Sequence, residues 1–309
     1  MANHNPQTFS DMPHKTISMT GLAVLLCIII SQRLEAAPQP SPTDDDKSFL
    51  REVIYTPEDS ARVISLLGME VEGDTTLFYA RKFVGTPYVG HTLEIHEPEF
   101  LVVNLHELDC LTLVETVCAL AMTKREGKTG FADYCRNLER LRYQNGQRRG
   151  YLSRLHYFPW WEKDNGLRKI ITDVQQPDYF TTPMMVGNNY MSTHPDKYEM
   201  LRRHPDWASR IKMLEGLYNG RHRNYMPTDN VKLKRKVLTC IHDGDIIGIV
   251  QLANGIDVSH LGFAFWGKDG QLHMLHASSL QKKVIEDTTP LYQYLIKQKK
   301  KGIKVLRLR

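Results

Sequence analysis

The sequence has few cysteines and lacks the spacings that mark common metal and cofactor sites. Five cysteines occur in 309 residues, none closely paired, and no His-Glu-x-x-His segment accompanies the 13 histidines. A dedicated zinc site is therefore not expected. A Gly-x-Ser-x-Gly segment is missing, which disfavours a serine hydrolase of the α/β-hydrolase type. A glycine-rich phosphate-binding loop is also missing. We predict no metal and no cofactor.

The sequence also lacks an apolar run long enough to span a membrane comfortably. The run Gly21 to Ile30 has only about ten residues, about half of what a transmembrane helix needs. It follows a polar stretch that contains Lys15 and precedes the small-residue segment Ser31 to Pro38. This pattern predicts a secretory signal peptide over residues 1–36, with an uncleaved N-terminal anchor as the alternative. In either case we expect an exported protein, periplasmic or extracellular.

The composition after residue 36 indicates one folded domain behind a polar leader. Residues 37–47 have no apolar periodicity and are predicted to be flexible. Residues 48–309 are predicted to form a single domain with a mainly helical insertion at about 175–230, to which the sequence assigns no chemistry. The net charge of +5 would suit an anionic polymer such as the cell wall, and an exported protein gives little reason to expect nucleic acid.

Disulfide bonds are not strongly indicated. Cys110 and Cys118 lie on one predicted helix, roughly 12 Å apart, which is too far for a bridge. The pairing of Cys118, Cys135 and Cys240 stays open.

Cys110 lies where a helix is predicted to begin. Asp109 is a good N-cap residue, and Leu113, Val117 and Leu120 follow at helical spacing. The positive end of a helix lowers the pKa of a thiol, as a cysteine nucleophile requires. An isolated cysteine is more often an inert buried residue, so the assignment depends on a partner.

Histidines far downstream supply that partner. The last third of the chain has short apolar runs separated by turn residues, which predicts sequential antiparallel strands. His260 lies at the start of one such strand, and the turn Gly267 to Gly270 predicts a hairpin that brings His276 beside His260. His273 should then face the opposite side. A third group must orient the base; we favour His276, with Ser278 as the alternative.

The segment from Gly150 to Val174 is dense in aromatic and polar residues. This composition is typical of a core layer or of a cleft that holds sugar or peptide, and the sequence does not decide between them.

Four segments in order resemble the NlpC-type cysteine peptidases of bacterial cell walls: Gly85-Thr86-Pro87-Tyr88, Leu108-Asp109-Cys110, Ser259-His260-Leu261-Gly262 and Leu275-His276-Ala277-Ser278-Ser279. The chain is most similar to the N-acetylmuramoyl-L-alanine amidase-like branch of that superfamily. Further segments that support this branch are Val102 to Leu105, Glu115, and Ser153 to Phe158.

The resemblance implies an α+β, papain-like cysteine hydrolase core, with the nucleophile at a helix N-terminus and the histidine on an antiparallel sheet. It implies hydrolysis of the amide between N-acetylmuramic acid and L-alanine, with peptidoglycan or muropeptide fragments as partners. The implied catalytic residues are Cys110 as nucleophile, His260 as general base and His276 as orienting group. The implied substrate-binding residues are Tyr88, Asp109, Arg154, His156, Tyr157 and Ser259.

Other functions remain open at this stage. Within the superfamily the alternative is an endopeptidase that cuts between D-glutamate and the diamino acid of the stem peptide. A wall-binding protein with a decayed site, and a transglutaminase or acyltransferase that uses the same pair, are alternatives from other classes.

Overall fold

The computed structural model describes residues 43–94 and 96–309. Within these residues the α-helices are α1 Asp44–Leu50, α2 Pro57–Leu67, α3 Thr75–Arg81, α4 Cys110–Arg125, α5 Phe131–Arg142, α6 Phe158–Leu167, α7 Tyr190–Thr193, α8 Glu199–Arg203, α9 Trp207–Tyr218, α10 Thr228–Val231 and α11 Leu291–Lys297. The strands are β1 Val53–Ile54, β2 Leu101–Val102, β3 Ile171–Asp173, β4 Thr182–Met185, β5 His222–Pro227, β6 Ile246–Ala253, β7 Ile256–Trp266, β8 Leu272–Ser278, β9 Lys283–Glu286 and β10 Gly302–Leu308.

The described residues belong to one compact unit. None of the helices in the described ranges is long and apolar enough to cross a membrane. The predicted signal peptide, residues 1–36, and residues 37–42 of the predicted leader lie outside the described residues.

The end of the predicted flexible leader is helical, so that part of the prediction is wrong. Thr43 caps α1 in a reciprocal capping box with Asp46. Asp45 and Asp46 bind Arg136 of α5. The run of aspartates is therefore the first turn of a helix, where negative charge is favourable because it faces the positive end of the helix dipole.

Helix α4 is the centre of the helical half of the molecule. Every residue from Thr112 to Thr123 is buried, and α2, α3 and α5 pack around it together with strands β7 and β8 of the sheet. The four cysteines in the described ranges are free thiols. Burial raises the pKa of Cys118 and of Cys135 far above the ordinary value, as for inert core residues.

The large sheet is antiparallel, with strand order β4-β5-β10-β6-β7-β8-β9 and β3 also paired to β10. The predicted hairpin is present, and its register places Phe263 opposite Leu275 and Trp266 opposite Leu272. The fold is thus α+β, with helices collected on α4 and an antiparallel sheet formed mainly by the last third of the chain.

The segment 175–230 contains helices, among them α8 and α9, and it also contributes strands β4 and β5 to the sheet. The sequence analysis did not predict these two strands. Strand β5 pairs with β10, where Met226 is opposite Ile303. In β4 and β5 most side chains are exposed or partly exposed, so the apolar pattern that marks a strand is weak.

A buried ion pair ties α4 to α5. Arg142 Nε lies 2.6 Å from Glu115 Oε2, and both side chains are at most 3% exposed. Arg142 also donates to the carbonyl oxygen of Val102 in β2 at 2.7 Å. Removing one member of such a pair leaves the other charge buried without compensation.

We expect Arg142→Met to lower the free energy of unfolding by about 3–5 kcal/mol, because Glu115 would stay buried without its partner. Arg140→Met is the matched control: it makes the same change in the same helix at an exposed ion pair with Glu126, worth at most about 1 kcal/mol. Urea unfolding of both variants checks this. Equal losses in the two variants would show that the buried pair has no special role.

Candidate active site

Cys110 is the first residue of α4, as the sequence predicts. Asp109 is the N-cap, and its Oδ1 accepts hydrogen bonds from the backbone N–H of Leu111 at 3.0 Å and of Thr112 at 2.8 Å. Thr112 Oγ1 in turn accepts from the N–H of Asp109 at 2.8 Å. This capping box fixes the first turn of the helix and with it the position of the thiol.

The loop that carries Tyr88 is held between Leu108 and strand β9. The N–H of Tyr88 donates to the carbonyl of Lys282 at 2.9 Å, and the N–H of Leu108 donates to the carbonyl of Pro87 at 3.0 Å. Gly85 has a φ of 91°, which favours glycine. Burial raises the pKa of Tyr88, and the negative charge of Asp109 adds to this effect. Tyr88 lines a cavity together with Asp109, the residue that precedes the thiol.

His260 and His276 are hydrogen-bonded across β7 and β8. The distance from His260 Nε2 to His276 Nδ1 is 2.6 Å, and the two rings are nearly perpendicular. His276 is only 2% exposed, and the ring of Tyr294 packs against it. His273 points away, with Nδ1 3.1 Å from the carbonyl oxygen of Asp287. The hairpin predicts this arrangement of the three histidines.

Ser278, the alternative orienting group, is not bonded to His260. Its Oγ instead accepts from the N–H of Gln281 at 3.1 Å. It lines the cavity that His260 and His276 share, so it borders the site without orienting the base.

Cys110 and His260 line one cavity of about 240 Å³. Its walls come from the start of α4, the segment before α6, and strand β7. Leu261 of β7 also lines this cavity. The site is thus the meeting point of the helical half and the sheet.

Burial governs the ionisation of both groups in the free protein. Desolvation, with the charge of Asp109, raises the pKa of Cys110 to about 12, although backbone bonds from Leu261, Cys110 and Leu111 act in the opposite direction. Desolvation, with the charges of His276 and Lys300, lowers the pKa of His260 to about 3. The sequence predicts a lowered pKa for this thiol, and that prediction is wrong. Desolvation raises the pKa more than the N-terminus of the helix lowers it. The resting pair is a neutral thiol and a neutral imidazole.

Two predicted substrate-binding residues have their polar groups engaged within the protein. Arg154 makes a bidentate pair with Glu99, at 2.9 and 2.8 Å. The Tyr157 hydroxyl donates to Glu215 of α9 at 2.8 Å and accepts from the N–H of Met191 at 2.6 Å. Arg154 and Tyr157 each line a cavity. Their polar groups, however, bond to other residues of the protein and stabilise the cavity wall.

The remaining predicted residues line the cleft. Ser259 borders the thiol cavity, and its Oγ accepts from Lys300 Nζ at 3.1 Å. His156 lies between the thiol cavity and a second cavity of about 200 Å³ that includes Tyr88 and Asp109. Its Nε2 is 2.9 Å from the carbonyl oxygen of Tyr151.

Several residues at the site escaped the sequence analysis. Tyr294 and Lys300 border the histidines, and Tyr198 borders the thiol cavity. Asp287 Oδ2 lies 3.6 Å from His276 Nε2. Only the pairing of β8 with β9, which the sequence analysis did not predict, could have indicated Asp287. In the described part of the chain, no group of three or more His, Cys, Asp or Glu side chains is arranged to hold a metal ion.

We expect Gly262→Ala to displace His276. A Cβ at Gly262 would lie 2.9 Å from the Cβ of His276 and 2.6 Å from the carbonyl oxygen of Leu275, both held in the sheet. Overpacking of this kind costs about 1–3 kcal/mol. Gly216→Ala in α9, where nothing lies within 4 Å, is the control and should be neutral or stabilising. Thermal unfolding measures both; a neutral Gly262→Ala variant would contradict the close packing.

We expect His156 to make the protein less stable in acid. Burial, with the charge of Arg154, lowers the pKa of His156 from 6.5 to about 3. Between these values the unfolded chain binds a proton that the folded chain does not, so stability is unaffected above pH 6.5 and falls as the pH drops below it. Urea unfolding at pH 7.5 and pH 5 should show a smaller loss for His156→Gln than for the parent protein. An identical loss would show that His156 titrates normally.

Comparisons with known proteins identify the family of the chain. The family model for AmiA-like, N-acetylmuramoyl-L-alanine amidase-like proteins matches residues 79–303. A crystal structure of an N-acetylmuramoyl-L-alanine amidase from Bacteroides uniformis is 38% identical, covers 77% of this chain and 100% of its own, and has a TM-score of 0.71. A Bacteroides fragilis structure with a provisional xylanase name is also 38% identical, covers 75% and 100%, and has a TM-score of 0.70.

A Legionella pneumophila protein shares the fold at 21% identity, with a TM-score of 0.64 over 81% of this chain and 94% of its own. No curated protein was found to match the sequence. The family model spans most of the chain, including the cysteine and both histidines of the site. The chain therefore belongs to the AmiA-like family of N-acetylmuramoyl-L-alanine amidase-like proteins.

Proposed function

We propose that the protein is an exported, cysteine-dependent amidase that hydrolyses the bond between N-acetylmuramic acid and L-alanine in peptidoglycan or its fragments. The observation that carries this proposal is the cavity shared by Cys110 and His260, with His260 hydrogen-bonded to His276. A thiol, a base and a group that orients the base are the parts that acyl transfer through a cysteine requires. Family membership supports the choice of bond. As part of the proposal, the core is of the papain-like, NlpC type.

In the first step the sulfur of Cys110 attacks the carbonyl carbon of the lactyl group. His260 takes the thiol proton as the S–C bond forms, so the neutral resting pair becomes an ion pair only with substrate in place. The backbone N–H of Cys110, at the start of α4, stabilises the negative charge on the carbonyl oxygen. The His260 imidazolium then protonates the nitrogen of L-alanine, the C–N bond breaks, and the stem peptide leaves with a free amine.

In the second step water hydrolyses the thioester. His260 removes a proton from the water as it attacks the lactyl carbonyl, and the C–S bond breaks. The proton held by His260 returns to the sulfur of Cys110, and the lactyl group leaves as a carboxylic acid, which releases its proton to the solvent. The thiol and the imidazole are again neutral, which is the state that burial favours in the free protein.

Two further cavities adjoin the thiol cavity, which suits a bond inside a longer molecule. One, of about 190 Å³, contains Ser259 and Lys300. The other, of about 200 Å³, contains Tyr88 and Arg154. Both adjoin the thiol cavity, because each shares wall residues with it. We propose that one of these cavities takes the glycan and the other the stem peptide.

The xylanase name of one similar structure does not fit the thiol cavity. Glycoside hydrolysis ordinarily needs two carboxyl groups that flank the scissile bond. Among the described residues that line the cavity of Cys110, none is a carboxylate. The endopeptidase alternative would use the same catalytic groups. Only the identity of the products therefore distinguishes it from the amidase.

We expect Cys110→Ala and Cys110→Ser to abolish release of stem peptide from a muropeptide, because neither variant can form the thioester. Mass spectrometry of the digest identifies the bond: the amidase leaves a sugar without peptide, whereas the endopeptidase leaves a sugar that carries L-alanine and D-glutamate. Cys240→Ala, a cysteine outside the cleft beside Arg307, is the control and should stay active.

Three results would contradict the proposal. Full activity of Cys110→Ala would exclude Cys110 as the nucleophile. A sugar that keeps the first two residues of the stem would replace the amidase with the endopeptidase. Hydrolysis of xylan, with no action on muropeptides, would exclude both.

A further inference from the structure

Asp287 lies next to His276, at the ring nitrogen that does not face His260. It is not one of the catalytic residues that the sequence motifs indicate. It directly follows β9, whose residue Ile285 is paired with His276 in β8. The pairing continues to Asp287, because its N–H donates to the carbonyl of Met274 at 3.1 Å. His276 and Asp287 are therefore diagonal neighbours on adjacent strands, which is within reach for side-chain contact.

The Asp287 carboxylate is held in place and remains charged. The N–H of Thr289 donates to its Oδ1 at 2.8 Å, which leaves Oδ2 at 3.6 Å from His276 Nε2. Burial acts to raise the pKa of Asp287, but the nearby His276 ring and the N–H of Thr289 outweigh burial and lower it. A charged acceptor therefore faces the buried ring nitrogen.

The position of that carboxylate favours one tautomer of the histidine pair. In a neutral imidazole one nitrogen donates and the other accepts. A proton on His276 Nε2 faces Asp287 favourably, whereas a lone pair there would face a carboxylate. With the proton on Nε2, Nδ1 of His276 must accept, so His260 Nε2 must donate in the 2.6 Å contact. His260 Nδ1 is then left with a lone pair.

We propose that Asp287 is a positioning residue that, through His276, holds His260 in the tautomer whose Nδ1 can accept the proton of Cys110. The proposal rests on the function proposed above, since it explains how the base is prepared. The Asp287 carboxylate faces His276 and the N–H of Thr289, so its effect on the reacting atoms passes through His276. Other charged or titratable groups near the histidines are Tyr294 of α11, whose ring packs on His276, and Lys300, which borders His260. Cys110, His156, Tyr157 and Tyr198 line the thiol cavity with His260.

The test is Asp287→Asn in the full chain. Asparagine has the same shape, but its amide can donate to His276 Nε2 and so stabilises the opposite tautomer. Two-dimensional ¹H–¹⁵N NMR of the ring nitrogens reports the tautomers in the free protein, with His260→Gln and His273→Gln used for assignment. We expect the Nε2–H form of His276 to dominate in the parent protein and to lose its dominance in Asp287→Asn.

Activity supplies the second readout. We expect Asp287→Asn to lower kcat about 10- to 100-fold with little change in KM, less than the 10²- to 10⁴-fold loss typical of removing a general base. Asp287→Glu, which keeps the charge, should recover part of this loss. Glu286→Gln is the matched control, because the adjacent carboxylate binds Arg81 and does not face the histidines.

The outcomes separate this inference from the proposed function. An unchanged tautomer of His276 in Asp287→Asn, or a kcat equal to that of the parent, overturns the role of Asp287. If the parent protein releases no peptide from muropeptides, the proposed function fails, while the NMR comparison still decides whether Asp287 sets the tautomer. Thermal unfolding of each variant distinguishes a loss of the tautomer from a loss of the fold.

Discussion

The hydrogen bond between His260 and His276 is the contact on which the rest of the site depends. At 2.6 Å it allows one proton between two ring nitrogens, so the protonation of one ring dictates that of the other. The bond exists only in one register of β7 and β8. It also needs a residue without a side chain at Gly262, whose backbone lies directly against the Cβ of His276. Sheet geometry thus sets the chemistry of the base.

Burial is the second constraint, and it opposes charge on both reacting groups. The cavity raises the pKa of Cys110 and lowers that of His260, so the free protein keeps the proton on sulfur. In the proposed mechanism the charge therefore develops as substrate bonds form. The helix N-terminus then acts on the developing oxyanion more than on the resting thiol. This division of roles could not be derived from the position of Cys110 in the sequence.

The parts that the sequence predicted well are those that depend on local patterns. The N-cap at Asp109, the start of α4 and the β7–β8 hairpin follow from residue types a few positions apart. What escaped depends on pairing between distant segments: Arg154 is committed to Glu99, and Asp287 reaches His276 through a strand that the sequence analysis did not predict. The sign of the Cys110 pKa shift escaped for the same reason, because burial is set by segments far from α4 in the chain.

The central claim is that Cys110 performs the hydrolysis. Its most direct test is partial alkylation with iodoacetamide, with the modified fraction of each cysteine measured by mass spectrometry beside the remaining activity on a muropeptide. The account predicts that activity falls in proportion to alkylation of Cys110 and reaches zero when that residue is fully modified, whatever the state of Cys240. Undiminished hydrolysis by protein in which Cys110 is completely alkylated would contradict it.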